Sequence, residues 1–416
     1  MIGKLKKNKF ILNLYRLMRD IFYFLRLFLL RPQFRNLIYH LYSIQKTNIF
    51  CFFSNFEIGG AERIHYNLVN SLAPQKVILF FTRKKYTPKG KCFEKYLNNH
   101  ISIIRLDTIL DNHILYKEKD FLFRFLAFWI GKNKKNKIFS SICAAFHDFI
   151  AYIDDDVYNC NLVHDTHSES LVRYSLRNTD KLSKRFISHF NLKQIYQQLY
   201  LKQGIDEKYI ERIKTLPYRI EGKIIQKTKL PSLPIKVVFV GKNHERDKRI
   251  SWVIDLAEKT YVEKLPIIFS FLGTNMNLLP ISPAYSIHEN KYGQELNDFY
   301  LNDIDITLLL SPTEGLPLVF MEGSTFGCVP LSTEVGGIGE YYTHKKNAFL
   351  IPDNLSKEKT IAVALEYLKE IVDNPTILIE MREENYRLAK EKFIDITIMT
   401  DNFKKEFLSQ NEANNI

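Results

Sequence analysis

Twice along the chain, short runs of branched and aromatic residues alternate with helix-length intervals, and this alternation limits the fold more than any other feature. The first series holds NIFCFF (48–53), KVILFF (76–81) and ISIIRL (101–106), then shorter runs at 161–164, 185–188 and 213–216. Apolar runs of this length, rich in β-branched and aromatic residues, read as buried strands. Strands that alternate with helices imply a parallel sheet covered on both faces. A second series follows KLPSLPIK (229–236), the best linker in the chain. It places strands at 237–241, 267–273, 306–310 and 329–332, with helices at 252–258, 295–301 and 318–326. A chain of 416 residues exceeds one ordinary core. The expectation is therefore α/β, with two Rossmann-like domains at 47–225 and 235–385 and a C-terminal helix (386–416) packing back on the first.

The net charge of +13 is concentrated at the front of the chain. Residues 1–46 hold ten Lys/Arg and a single acid, Asp20, which leaves +4 for all that follows. A near-neutral body argues against nucleic acid as a partner. On a helical wheel for 12–30, Asn13, Arg16, Arg19, Asp20, Tyr23 and Arg26 share one side. Leu14, Leu17, Met18, Ile21, Phe22, Leu25, Phe28 and Leu29 share the other. The apolar run is too interrupted to span a bilayer and has no signal-peptide form. A basic amphipathic extension of this kind suits an anionic membrane surface, although the same apolar face would serve to pack on the protein itself. The five scattered cysteines suggest neither disulfides nor a zinc site, which fits a cytoplasmic protein.

The segment SPTEGLPLVFME (311–322) carries the chemistry. It lies where a strand gives way to a helix, the sheet edge at which ligands bind in parallel α/β folds. Pro317 suits the first helical position. The amides of Gly315, Leu316, Leu318 and Val319 then offer an anion site, and Gly315 permits close approach. Glu322, one turn along the helix, repels phosphate but accepts well from a vicinal diol. That divides the work: amides for phosphate, Glu322 for ribose, Glu314 for a sugar. Two capping glutamates on an ordinary helix would account for the spacing as well.

With FGCVPLSTEVGGIGE (326–340) after it, this stretch resembles the C-terminal domain of family-4 (group 1) retaining glycosyltransferases, which have the GT-B fold. Ser311, Glu314, Gly315, Leu316, Pro317, Leu318, Val319, Glu322, Gly327, Pro330, Val335, Gly336, Gly337 and Glu340 match the family pattern in order. VGKNHERDK (240–248) resembles the segment that supplies two cations to the donor diphosphate, here Lys242 and Lys248. Lys242 stands where Arg is usual and Arg249 where Gly is usual. NFEIGGAER (55–63) resembles the first loop of the N-terminal domain, with Gly59 and Gly60 facing the donor. LVHDTHSE (162–169) resembles the strand that ends in a cleft histidine; His164 is the better match and His167 its competitor. In LPYRIEG (216–222), Tyr218 replaces the linker's usual Asn.

The resemblance implies transfer of a sugar from a nucleotide diphosphate sugar to a saccharide or lipid-linked saccharide acceptor, with retention of configuration. His164 and Glu314 would be the catalytic residues. Gly59, Gly60, Lys242, Lys248, Gly315, Leu316, Pro317, Leu318, Val319 and Glu322 would bind the donor. No cofactor and no metal are expected, since the lysines and the helix amides answer the diphosphate. Asp154–Asp156 could imitate the metal motif of GT-A enzymes, but reads more simply as a solvated acidic loop. Bacterial cell-surface polysaccharide, lipopolysaccharide or glycolipid assembly, at the inner face of the cytoplasmic membrane, is the natural setting. The alternative is a non-catalytic GT-B partner subunit of another membrane-associated transferase.

Overall fold

A computed structural model of the chain describes residues 9–55, 59–83, 97–110, 118–141, 143–165, 169–291 and 293–409. His167 and part of the 55–63 loop lie outside them. The first sheet has seven parallel strands: β1 (Ile49–Phe53), β2 (Val77–Phe81), β3 (Ile101–Arg105), β4 (Lys137–Ser141), β5 (Tyr158–Val163), β6 (Lys184–Ile187) and β7 (Ile213–Thr215). Their order is β3-β2-β1-β4-β5-β6-β7. The second has six: β8 (Ile235–Lys242), β9 (Ile267–Thr274), β10 (Tyr285–His288), β11 (Ile306–Leu309), β12 (Val329–Thr333) and β13 (Phe349–Ile351). Their order is β10-β9-β8-β11-β12-β13, again parallel throughout. Both sheets reverse direction of winding beside their first strand, between β1 and β4 and between β8 and β11. Loops that leave these switch points diverge and open a crevice.

The central strands are buried along their whole length, as in β1, β2 and β11. Strand β4 hides its nature in two serines. Ser140 donates to the Phe52 carbonyl (2.7 Å) and Ser141 to that of Leu162 (2.8 Å), so both hydroxyls are satisfied inside the sheet.

Six helices position the features discussed below: α1 (Lys9–Leu30), α2 (Gly60–Asn70), α3 (Lys119–Gly131), α4 (Phe190–Lys202), α5 (Leu318–Thr325) and α6 (Ile396–Leu408). Helix α1 sits on the first domain through Asp20, Phe24, Arg26 and Leu27, so part of its polar side faces inward while Asn13 and Arg16 stay exposed. Arg124 of α3 donates to both carboxylate oxygens of Asp20 at 2.7 Å. Arg26 pairs at 2.8 Å with Glu118, a wholly buried carboxylate. Between these charges Leu27 is buried and Phe24 packs against Phe34, Phe121 and Phe125. Leu14, Leu17, Met18, Ile21, Phe22, Leu25 and Leu29 are left 47–67% exposed. Among the described residues, no helix is long and apolar enough to cross a membrane. The segment that follows α1 enters the core through Phe34, Leu37 and Ile44.

The chain crosses between the domains twice. The outward crossing is the segment after β7. The return follows Ala389–Phe393 and leads into α6, whose Phe403 and Phe407 stack on each other and pack at a tilt against Phe139 of β4. The two crossings run side by side. The Ile220 amide donates to the Phe393 carbonyl (2.7 Å), Arg219 donates to the Ile394 carbonyl (2.7 Å), and Ile220 and Ile394 form a parallel bridge.

Candidate active site between the two sheets

Strand β11 ends in buried Leu310 and Ser311, and the chain then turns through 312–317 into α5. Pro317 is the cap of α5, with φ −63° and ψ 121°, one place before the expected first helical position. Its carbonyl accepts from Phe320 (3.0 Å) and Met321 (3.3 Å), so the amides of Leu318 and Val319 open the helix ahead of its first ladder donor. The VGGIGE loop locks this turn from beneath. The Gly337 amide donates to the Gly315 carbonyl at 2.8 Å. Gly336 has φ +59°, and a Cβ there would collide with the Glu314 carbonyl. A Cβ on Gly315 would lie 2.6 Å from the His164 carbonyl of the other domain. The two glycine motifs, about twenty residues apart in sequence, are thus one interlocked backbone unit.

Each carboxylate of the segment faces a cation. Glu314, 11% exposed, pairs with Lys248. Glu322, 18% exposed, pairs with Arg63, which reaches across from the first turn of α2. At the start of α2, a Cβ on Gly60 would lie 3.5 Å from the Leu318 side chain, and one on Gly59 would lie 3.5 Å from the Lys242 amine. The glycine loop of the first domain therefore rests on the opening of α5 and beside Lys242. Arg249, where the related pattern has Gly, takes the left-handed backbone that Gly favours (φ +46°). Its guanidinium lies 4.0 Å from the centre of the Trp252 ring, a contact that helps offset the strain.

His164, at the end of β5, is buried, with both ring nitrogens engaged. Tyr218 bonds Nδ1. Nε2 lies 2.6 Å from His65 Nε2 and 2.9 Å from Ser141 Oγ. Because the Ser141 hydroxyl proton is committed to Leu162, the consistent tautomer has Nε2–H donating and Nδ1 accepting from Tyr218. Burial pushes the His164 ring down to about 3, and burial, followed by the charge of His164, holds His65 well below the usual histidine range. The part of His164 that meets the donor turn is its carbonyl, which accepts from Ser188 Oγ at 2.7 Å and lies against Gly315.

Several of these contacts are invisible to sequence reading. Arg63 carried a weak signal, the GGAER run that puts a cation one turn after the glycines. Tyr218, His65 and Ser141 carried none, because they converge from three separate elements. Glu340, the last residue of GGIGE, crosses to the first domain. It accepts from the Phe190 amide at the start of α4 (2.9 Å) and stands 3.1 Å from the His189 ring. Asp154 and Asp155 pair on the surface with Lys134 and Lys181, away from this crevice.

Two parallel Rossmann-like sheets with a crevice at their switch points make up the GT-B fold. Residues 222–388 match the family described as glycosyl transferases group 1. Over that stretch the chain is similar to a group 1 glycosyltransferase domain. A curated relative, an uncharacterized glycosyltransferase of Haemophilus influenzae, is 25% identical over 166 residues. That match spans 40% of this chain and only 37% of the relative's length. Among solved structures, TarM superposes with a TM-score of 0.65 at 11% identity, covering 87% of this chain and 98% of its own. HepE of Anabaena, solved with UDP and glucose, gives 0.62 at 11% identity over 88% of this chain and all of its own. These similarities extend the GT-B fold beyond the group 1 domain to the N-terminal sheet. Lys242, Lys248, Glu314 and Glu322 all fall within the matched domain, and Arg63 and His164 lie outside it.

Proposed function

We propose that the protein transfers a sugar from a nucleotide diphosphate sugar to a saccharide or lipid-linked acceptor, with retention and without a metal. The observation that carries this reading is the pair Glu314 and Glu322 on one strand-to-helix turn, each against a cation that faces the crevice. The amides of Leu318 and Val319, with Lys242 and Lys248, offset the charge that grows on the departing diphosphate. Glu322 accepts from the ribose diol. Glu314 positions the sugar and steadies the positive charge at its anomeric carbon. His164 acts as a positioning residue, its ring held by Tyr218, Ser141 and His65 while its carbonyl borders the donor turn. The UDP and glucose bound to HepE make a UDP-hexose the first donor to try.

The same reading places the enzyme on an anionic membrane, in surface polysaccharide, lipopolysaccharide or glycolipid assembly. It rests on α1, whose charges clamp inward while its apolar side faces out. An exposed apolar face with Arg16 and Arg19 at its border suits lipid headgroups over acyl chains.

A thermal-shift screen of UDP-, GDP- and ADP-sugars, followed by NMR of the anomeric product with and without chelator, tests the chemistry. No stabilisation by any of the three, inverted product, or activity abolished by chelator would each contradict part of it. Glu322→Ala is expected to raise the donor KM by tenfold or more, about 1.5 kcal/mol for a lost charged hydrogen bond. Donor binding unchanged by calorimetry would remove Glu322 from the ribose.

A further inference from the structure

The pair between Arg63 and Glu322 creates a conflict for the reading above, because Glu322 has a partner before any ribose arrives. Among the described residues, three cations line the crevice: Lys242, Lys248 and Arg63. Lys248 is paired with Glu314 and Arg63 with Glu322, so among the described residues only Lys242 lacks a carboxylate partner. A nucleotide diphosphate sugar carries a negative charge on each of two phosphates. Lys242 can match one of them as it stands, and any further cation must change partner to reach the other.

Either paired cation can let go as the donor enters. Lys248 can leave Glu314, 11% exposed, to the hydroxyls of the transferred sugar. Release of Arg63 strands nothing, because the ribose diol brings two hydroxyl donors to Glu322 in the same event. Arg63 is also well placed for the exchange. It stands in the first turn of α2, whose opening glycines rest beside Lys242 and Leu318, at the end of α5 where phosphate would lie. Its side chain is one-third exposed, and only one of its nitrogens bonds Glu322. It also supplies a planar fork that Lys242, a point charge, does not.

Resting on the nucleotide-sugar reading, we propose that Arg63 is a donor-binding residue of the N-terminal domain: on donor entry it exchanges Glu322 for the diphosphate. One ion pair across the crevice becomes two contacts to the ligand. The nucleotide thereby bridges both domains without leaving a carboxylate unpaired.

The test is calorimetric binding of UDP, GDP and ADP, and of the matching nucleosides, to the full chain and to its Arg63→Ala and Arg63→Lys variants. For the preferred base, Arg63→Ala is expected to weaken the diphosphate by about 10- to 100-fold, the range for a charge-assisted hydrogen bond. The nucleoside is expected to bind as well as before or more tightly, since its competitor for Glu322 is gone. Arg63→Lys is expected to recover part of the diphosphate loss. Diphosphate binding that is unchanged or tighter in Arg63→Ala would overturn the proposal and leave Arg63 a competing latch. Equal losses for nucleoside and diphosphate would overturn it in favour of a structural role. If the unmodified chain binds none of the three diphosphates, the underlying nucleotide reading falls as well.

Discussion

Helix α1 and the donor crevice handle the same materials in opposite ways. In the crevice, apolar side chains such as those of β11 turn inward and the charges of Glu314, Glu322, Lys242 and Lys248 face the opening. At α1 the charges of Asp20 and Arg26 turn inward beside Phe24 and Leu27, and Leu14, Leu17, Ile21, Phe22, Leu25 and Leu29 face out. Water rewards the first arrangement and penalises the second. The difference separates a surface that suits a polar, charged ligand from one that leaves apolar side chains in water, and it is this second surface on which the membrane proposal rests.

The largest effect should come from the inward charges of α1. Arg26→Met leaves Glu118 buried and unpaired and is expected to cost about 3–5 kcal/mol, visible as a large fall in Tm. An unchanged Tm would mean that the inward charges do not hold α1, and the contrast would fail. Because Leu27, Phe34 and Leu37 belong to the core, removal of residues 1–46 would unfold the domain and could not isolate membrane binding. The cleaner probe is Leu17→Glu with Phe22→Glu on the outward face. At about 1.5 kcal/mol or more per immersed side chain, the pair should lower binding to anionic vesicles by roughly 100-fold with Tm unaltered. Full retention in a flotation assay would show that the exposed face serves something other than lipid.

On the crevice side, Glu314→Gln is expected to lower kcat about 100-fold while nucleotide affinity holds, because its charge matters most as the sugar becomes cationic. Equal losses in kcat and binding would make it a ground-state contact. The smallest effect concerns the buried histidines. With His164 held near 3 and an unfolded value near 6.5, the unfolded chain binds more protons between these limits. Stability is therefore complete above about pH 6.5 and is lost on acidification, by about 1.4 kcal/mol per pH unit per histidine. Thermal unfolding at pH 7 and 5.5 checks this, and a flat Tm would contradict it.

The fold was legible in the chain where strands are buried on both faces and nothing polar intervenes, as in β1 and β2. It was not legible at β4, whose serines look solvated until the carbonyls that receive them are known. Edge strand β10 and three-residue β13 give periodicity too little to work on. In the crevice, residues 311–340 could be read because their constraints are local: a proline cap, a glycine against a carbonyl, another in the left-handed region. What Arg63, Tyr218 and Glu340 touch could not, since each contact spans at least fifty residues of sequence and exists only once both domains are in place. The direction of α1 was the other blind spot. A helical wheel separates two faces but does not say which one meets the protein.

The paired crossings have a mechanical consequence. Two rigid bodies joined by one tether can twist and tilt in any direction. Here the joints near Ile220 and Ile394 are tied to each other by backbone hydrogen bonds. Like two knuckles on one pin, they remove freedom of twist that a single tether would leave. A ligand that joins Arg63 on one leaf to Lys242 on the other would then have less motion to arrest.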